Sequence, residues 1–142
     1  MSLMIVLTLL LVTVSTFIHY EVLRRLNDTL PRVAVVPRQT KVLLAMAGAM
    51  VSHACHVALF GFAYLLLRDQ MGLGGFGGQF RDVISTYIYF SMETYTTIGF
   101  GDIYPLGPLR MVAGVEALTG LLMISWTASF TYLEMSRYWG RC

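Results

Sequence analysis

Apolar residues run almost unbroken over three stretches of this chain, residues 3–20, 41–67 and 109–133. A helix needs about 20 mostly apolar residues to cross a bilayer, and each stretch predicts one such helix. The first carries no charge before Glu21, and the second none after Lys41. The third carries Glu116 beyond Arg110. Between the second and third stretches the pattern changes twice. Residues 68–80 hold Gly72, Gly74, Gly75, Gly77 and Gly78 and read as a flexible, solvent-facing loop. Residues 83–96 are apolar and aromatic but too short to span, which suits a helix that enters the membrane and turns back. Thr96-Thr97-Ile98-Gly99-Phe100-Gly101-Asp102 follows directly. Glycine alternating with larger residues makes a poor helix and a poor strand. Because glycine tolerates positive φ, the alternation lets successive carbonyls face one side of the backbone. Tyr104-Pro105 and Gly107-Pro108 then break the chain before the third stretch.

Composition agrees with a membrane protein. Of the 142 residues 56% are hydrophobic and 13% charged, against about 25% charged in soluble domains. The net charge of +2 comes without a basic run, so no nucleic-acid partner is expected. Cys55 lies in the second stretch and Cys142 is the final residue, so neither a disulfide nor a zinc spacing is expected. The first stretch lacks the basic start and small-residue cleavage site of a signal peptide. Its arginines, Arg24 and Arg25, sit at one end and not at intervals across it, unlike a voltage sensor. Basic residues also set orientation. Arg24, Arg25, Arg32, Arg38, Lys41, Arg137 and Arg141 outnumber Arg68, Arg81 and Arg110 on the opposite side. The connector 27–40 and the tail are therefore expected in the cytoplasm, and the N-terminus outside, in a multi-pass protein of the cell (inner) membrane. No internal repeat, nucleophile–base pair or phosphate loop is present, and nothing after Leu133 is long enough for a cytoplasmic sensor.

Non-helical backbone at membrane depth is tolerated only when it is buried in protein or lines water. Ser91-Met92-Glu93-Thr94-Tyr95-Thr96-Thr97-Ile98-Gly99-Phe100-Gly101-Asp102-Ile103-Tyr104-Pro105 meets that condition if it lines a pore. This segment resembles the pore helix and selectivity filter of potassium channels, especially the small bacterial channels that carry little beyond the pore. The resemblance implies an all-α membrane protein with three transmembrane helices and a re-entrant pore helix between the second and third. It divides the chain into an N-terminal helix and connector, 1–40, a pore domain, 41–136, and a short cytoplasmic tail, 137–142. Within the pore domain the outer helix is 41–67, the extracellular loop 68–82, the pore helix 83–96, the filter 97–102 and the inner helix 109–133.

The resemblance also implies residue roles. Carbonyls of Thr97, Ile98, Gly99 and Phe100 would replace the hydration shell of potassium, the Thr97 hydroxyl completing the innermost site. Gly99 and Gly101 would permit the backbone geometry. Phe100 stands where many members carry tyrosine, which puts the stiffness of the filter in question. Glu93 and Asp102 would share a proton behind the filter, with Thr96 beside them; a plain capping role for Glu93 is the alternative. The C-terminal end of the pore helix would turn its negative dipole toward the cavity. Gly120 is either a hinge or a close-packing position. Leu121, Ile124 and Ala128 would face the cavity, while Trp126 and Phe130 would face lipid or a neighbouring helix. A carbonyl cage needs several strips, so a homotetramer is expected. The expected function is passive, potassium-selective conduction, with potassium ions and lipid as partners and no cofactor. The rival readings are a weakly selective cation channel, a non-conducting subunit, and a membrane metal- or haem-binding protein using His53 and His56.

Four polar residues sit in apolar sequence. Glu116 is expected to hydrogen-bond His56 across two helices and to sense pH, the alternative being that each satisfies other groups. His19 is expected at the membrane interface beside Tyr20. Arg110 either pairs with a carboxylate near the filter or anchors its helix.

Overall fold

The computed structural model describes residues 2–139. In chain order it contains α1 (Ser2–Thr29), a 3-10 turn (Leu30–Arg32), α2 (Arg38–Asp69), β1 (Gly75–Gly78), α3 (Ile84–Tyr95), β2 (Ile103–Leu106) and α4 (Leu109–Trp139). Three segments are long and apolar enough to cross a membrane: Ser2–Arg32, Arg38–Asp69 and Leu109–Trp139. The chain is thus a mostly helical membrane protein. Arg141 and Cys142, in the expected tail, lie outside the described residues.

The first helix is longer than its apolar run. Glu21 ends that run, but it accepts from Arg24 at 2.8 Å and Arg25 at 3.0 Å, one helical turn onward, and the helix continues. Pro31 ends it in the 3-10 turn. Its buried residues, Met4, Thr8, Ser15, His19 and Leu23, fall at helical spacing and make one stripe against the rest of the chain.

On α2 the buried stripe runs Val42, Ala45, Ala49, Ser52, His56, Phe60, Tyr64 and Leu67. On α4 it runs Leu109, Val112, Glu116, Thr119, Gly120 and Met123. The short α3 packs between these two stripes, and the main apolar core forms there from Phe60, Tyr64, Tyr87, Phe90 and Val112. Between spanning helices such a core is held by close van der Waals packing and interhelical hydrogen bonds, since lipid on the outer faces is as apolar as the core itself.

The glycine-rich stretch departs from the expectation of a flexible, exposed loop. Gly75–Gly78 forms β1 and pairs antiparallel with β2, Phe76 opposite Pro105 and Gly78 opposite Ile103. The Phe76 ring meets Phe90 at 4.9 Å, Tyr87 at 5.5 Å and Tyr64 at 5.7 Å, each near edge-on. Strand pairing and one aromatic anchor override the composition. At the start of α3, Arg68 grips Asp82 through two bonds of 2.6 Å, and Tyr87 donates to the same carboxylate. The Arg68 guanidinium holds the Asp82 carboxyl below the usual carboxylate range.

Candidate functional site

Helix α3 ends at Tyr95, and the chain turns without leaving it. Thr97 N–H donates to the Thr94 carbonyl at 3.0 Å, and Ile98 and Gly99 both donate to the Glu93 carbonyl, at 2.9 and 3.3 Å. Phe100 N–H donates to the Glu93 carboxylate at 3.2 Å. Four successive amides therefore face the end of α3. Among the described residues, none of the carbonyls of Thr97, Ile98, Gly99 and Phe100 accepts a hydrogen bond. Backbone handedness alternates: φ is +60° at Thr97, +55° at Gly99 and +81° at Gly101, and negative at Ile98 and Phe100 between them. Alternation of that kind keeps neighbouring carbonyls on one side.

Thr97 is the only non-glycine with positive φ among the described residues. Such a conformation costs of order 1–3 kcal/mol and persists only where the surroundings over-determine it. At the far end of the strip, Gln79 N–H donates to the Asp102 carbonyl at 3.1 Å, tying it to the two-stranded sheet. In the single chain the strip lies open, with Ile98 58% and Phe100 69% exposed.

Glu93 and Asp102 do not join as expected: no hydrogen bond connects the two carboxyls. Glu93 is occupied by the Phe100 amide, and Asp102 receives the Tyr89 hydroxyl at 3.4 Å. The Tyr89 and Phe100 rings stack, with planes 6° apart and centroids at 6.5 Å. A phenol does stand behind the strip, but α3 supplies it. Burial raises the Glu93 carboxyl above its ordinary range; the Phe100 amide opposes this and the charge of Asp102 adds to it. Thr96 turns its hydroxyl back to the Met92 carbonyl at 2.7 Å.

Gly120 is a point of close approach. A side chain there would collide with the Tyr95 carbonyl, and α4 runs unbroken through the position. Leu121, Ile124 and Ala128 are exposed on α4, and Ile124, one turn beyond Gly120, lines a cleft with Tyr95. Trp126 packs its ring 5.3 Å from His19 of α1 and stays 39% exposed, so it meets a neighbouring helix on one side only. Arg110 donates to the Pro105 carbonyl at 3.2 Å and meets no carboxylate among the described residues.

The expected Glu116–His56 bond is absent. Glu116 is fully buried and accepts from Tyr64 and from Ser91, each at 2.5 Å. His56 instead bonds the Tyr95 hydroxyl at 2.9 Å and the Ser15 carbonyl at 3.1 Å. His56, Phe60 and Tyr64 share one stripe of α2, and it is Tyr64, two turns from His56, that sits level with Glu116.

His19 also corrects its expectation. Because α1 continues past Glu21, His19 is interior and fully buried, with its ring centroid 5.3 Å from His53 and 5.4 Å from His56. One nitrogen from each of the three rings lies within 4.8 Å of the others, so this is also where a metal ion could be held. Tyr64, Tyr89, Ser91 and Tyr95 escaped the sequence reading. For Tyr89, Ser91 and Tyr95 the one signal was a run of hydroxyl-bearing residues on the otherwise apolar short helix α3; Tyr64, on α2, carried none.

Comparisons with known proteins bear on the same segment. Residues 52–135 match a family described as "Ion channel". The chain is 37% identical over 81 residues to the inward rectifier potassium channel Kirbac3.1 of Paramagnetospirillum magnetotacticum. That similarity covers 56% of this chain and 26% of the relative, so the chain spans about a quarter of the relative's length.

Proposed function

This chain belongs to the ion-channel family, and on that premise we propose that four copies form a passive potassium-selective channel. The observation that carries the proposal is the strip at Thr97–Gly101: amides turned into α3, carbonyls unbonded, handedness alternating. Four such strips around an axis would replace the water around a dehydrated cation with carbonyl oxygens. The Thr97 hydroxyl would complete the innermost site.

Assembly follows from the same strip. Irregular backbone open on one side cannot face lipid, where every unsatisfied group costs several kcal/mol. Other copies of the chain would cover it, and closed cyclic symmetry supplies them. The C-terminal end of each α3 would point its negative dipole toward the axis, a modest cation preference multiplied by the copies. Leu121, Ile124 and Ala128 would line the cavity below, where an apolar constriction can close by dewetting. The excess of basic residues between α1 and α2 supports a cytoplasmic connector and an outside N-terminus.

The test is ion flux from proteoliposomes under opposed potassium and sodium gradients. Potassium flux well above sodium flux, blocked by barium, is expected. Equal flux of both ions, or none, overturns the proposal. Gly99→Ala places a side chain at φ +55° and is expected to abolish selective flux while the protein remains in the membrane.

A further inference from the structure

All three histidines of this chain meet at one place, and all six of their ring nitrogens are bonded. The proton positions follow from one end. His56 Nε2 faces the Ser15 carbonyl at 3.1 Å, which can only accept, so Nε2 carries the proton. In a neutral ring Nδ1 is then an acceptor, and it takes the Tyr95 hydroxyl proton across 2.9 Å. Having given its one proton, the Tyr95 oxygen accepts from His53 Nδ1–H at 2.8 Å. His53 Nε2 therefore accepts from the Thr127 hydroxyl at 2.9 Å. The Thr127 oxygen accepts from His19 Nε2–H at 3.3 Å, and His19 Nδ1 accepts from the Ser52 hydroxyl at 3.1 Å. The result is a one-way chain, Ser52 to His19 to Thr127 to His53 to Tyr95 to His56 to Ser15. It crosses α1, α2, α3 and α4.

We infer that this chain positions the filter by holding Tyr95. Tyr95 is the last residue of α3 and the second before Thr97, the strained residue that opens the carbonyl strip. Its ring is 1% exposed, its carbonyl is pressed by Gly120 of α4, and its hydroxyl is held by two histidines of α2. Clamped at both backbone and hydroxyl, the end of α3 has little freedom to rotate, and the positive φ of Thr97 is held with it. Through His19 the same chain ties the arm helix α1 to the pore. A metal cup is the competing use of these rings. Their nitrogens lie within 4.8 Å of one another, looser than the roughly 3.4 Å that tetrahedral zinc imposes on nitrogens bound at about 2.0–2.1 Å. Each nitrogen also already has a partner.

The inference rests on reading the strip as a filter, and the experiment separates the two. Nitrogen-15 NMR of histidine-labelled protein in bilayers reads only these three rings. At neutral pH it is expected to show three neutral, metal-free rings, two carrying Nε2–H (His19 and His56) and one carrying Nδ1–H (His53). Any other tautomer count, a charged ring or a metal-shifted nitrogen overturns the ordered chain. Tyr95→Phe keeps the ring and removes the hydroxyl. It is expected to convert the Nδ1–H ring to Nε2–H, now donating to Thr127. The potassium-to-sodium flux ratio is expected to fall about fivefold, the equivalent of one hydrogen bond of about 1 kcal/mol acting on filter geometry. Wild-type selectivity retained in Tyr95→Phe overturns the positioning role. If the unmodified protein carries no selective flux, the channel reading fails while the tautomer pattern still stands. Thr127→Val, nearly isosteric, breaks the chain one link further away. It is expected to lower the ratio by a smaller factor, and it decides the matter should Tyr95→Phe not assemble.

Discussion

Halfway along α3, Ser91 donates to the buried carboxyl of Glu116, as does Tyr64 of α2, each at 2.5 Å; at its end, Tyr95 joins two histidines of α2 through bonds of 2.8 and 2.9 Å. The first cluster is a star, with a single acceptor on α4 and donors from α2 and α3. The second is a chain in which every member between its ends both gives and takes a hydrogen bond. A star depends on its centre: without Glu116, two buried hydroxyls lose their partner at once. A chain weakens link by link, and its effect depends on how near the broken link lies to Tyr95. Both join α2, α3 and α4, but only the chain reaches α1.

That contrast can be broken by substitution. Glu116→Ala strands the Tyr64 and Ser91 hydroxyls in a dry interior and is expected to cost about 2–4 kcal/mol, measured as heat stability of the solubilised protein. Glu116→Gln keeps an acceptor and is expected to restore most of the loss. Tyr64→Phe removes one arm of the star and leaves Ser91 in place; about 1 kcal/mol is expected by the same assay. Ser52→Ala removes the outermost link of the chain and is expected to cost about 0.6 kcal/mol, the average for an interhelical hydrogen bond in a membrane. It should leave the His53 and His56 tautomers unchanged by NMR. If Ser52→Ala proves as costly as Glu116→Ala, the distinction between star and chain is wrong.

Much of the architecture was legible from residue order. Three spans could be read because a bilayer demands long apolar runs, and the interruption by a short helix and a glycine-alternating strip marked where the backbone leaves regular structure. The polar contacts were legible only in part. That Glu116 needs a partner followed from its depth in apolar sequence; that the partner is Tyr64 and not His56 did not. Both lie on the same stripe of α2, so spacing names the face but not the level at which α4 crosses it. His19 was misplaced because the charge at Glu21 ends the apolar run, whereas the helix continues to Thr29 on the strength of Glu21–Arg24 and Glu21–Arg25 pairs. The glycine-rich stretch read as flexible because composition carries no information about the strand it pairs with.

The sequence by itself determined a membrane-spanning helical protein of the ion-channel family, with a short helix and an irregular strip between its second and third spans. Hydropathy and glycine content act locally, and those features follow from them. Only the tertiary structure decided that the Phe100 amide claims Glu93, that Gly120 presses on Tyr95, and that His53 and His56 converge on one hydroxyl. Those outcomes depend on the rotation and height of each helix against its neighbours, set by the packing of all four helices together and by no single segment. The strip that residue order marked as irregular thus gains its rigidity from residues far from it in the chain.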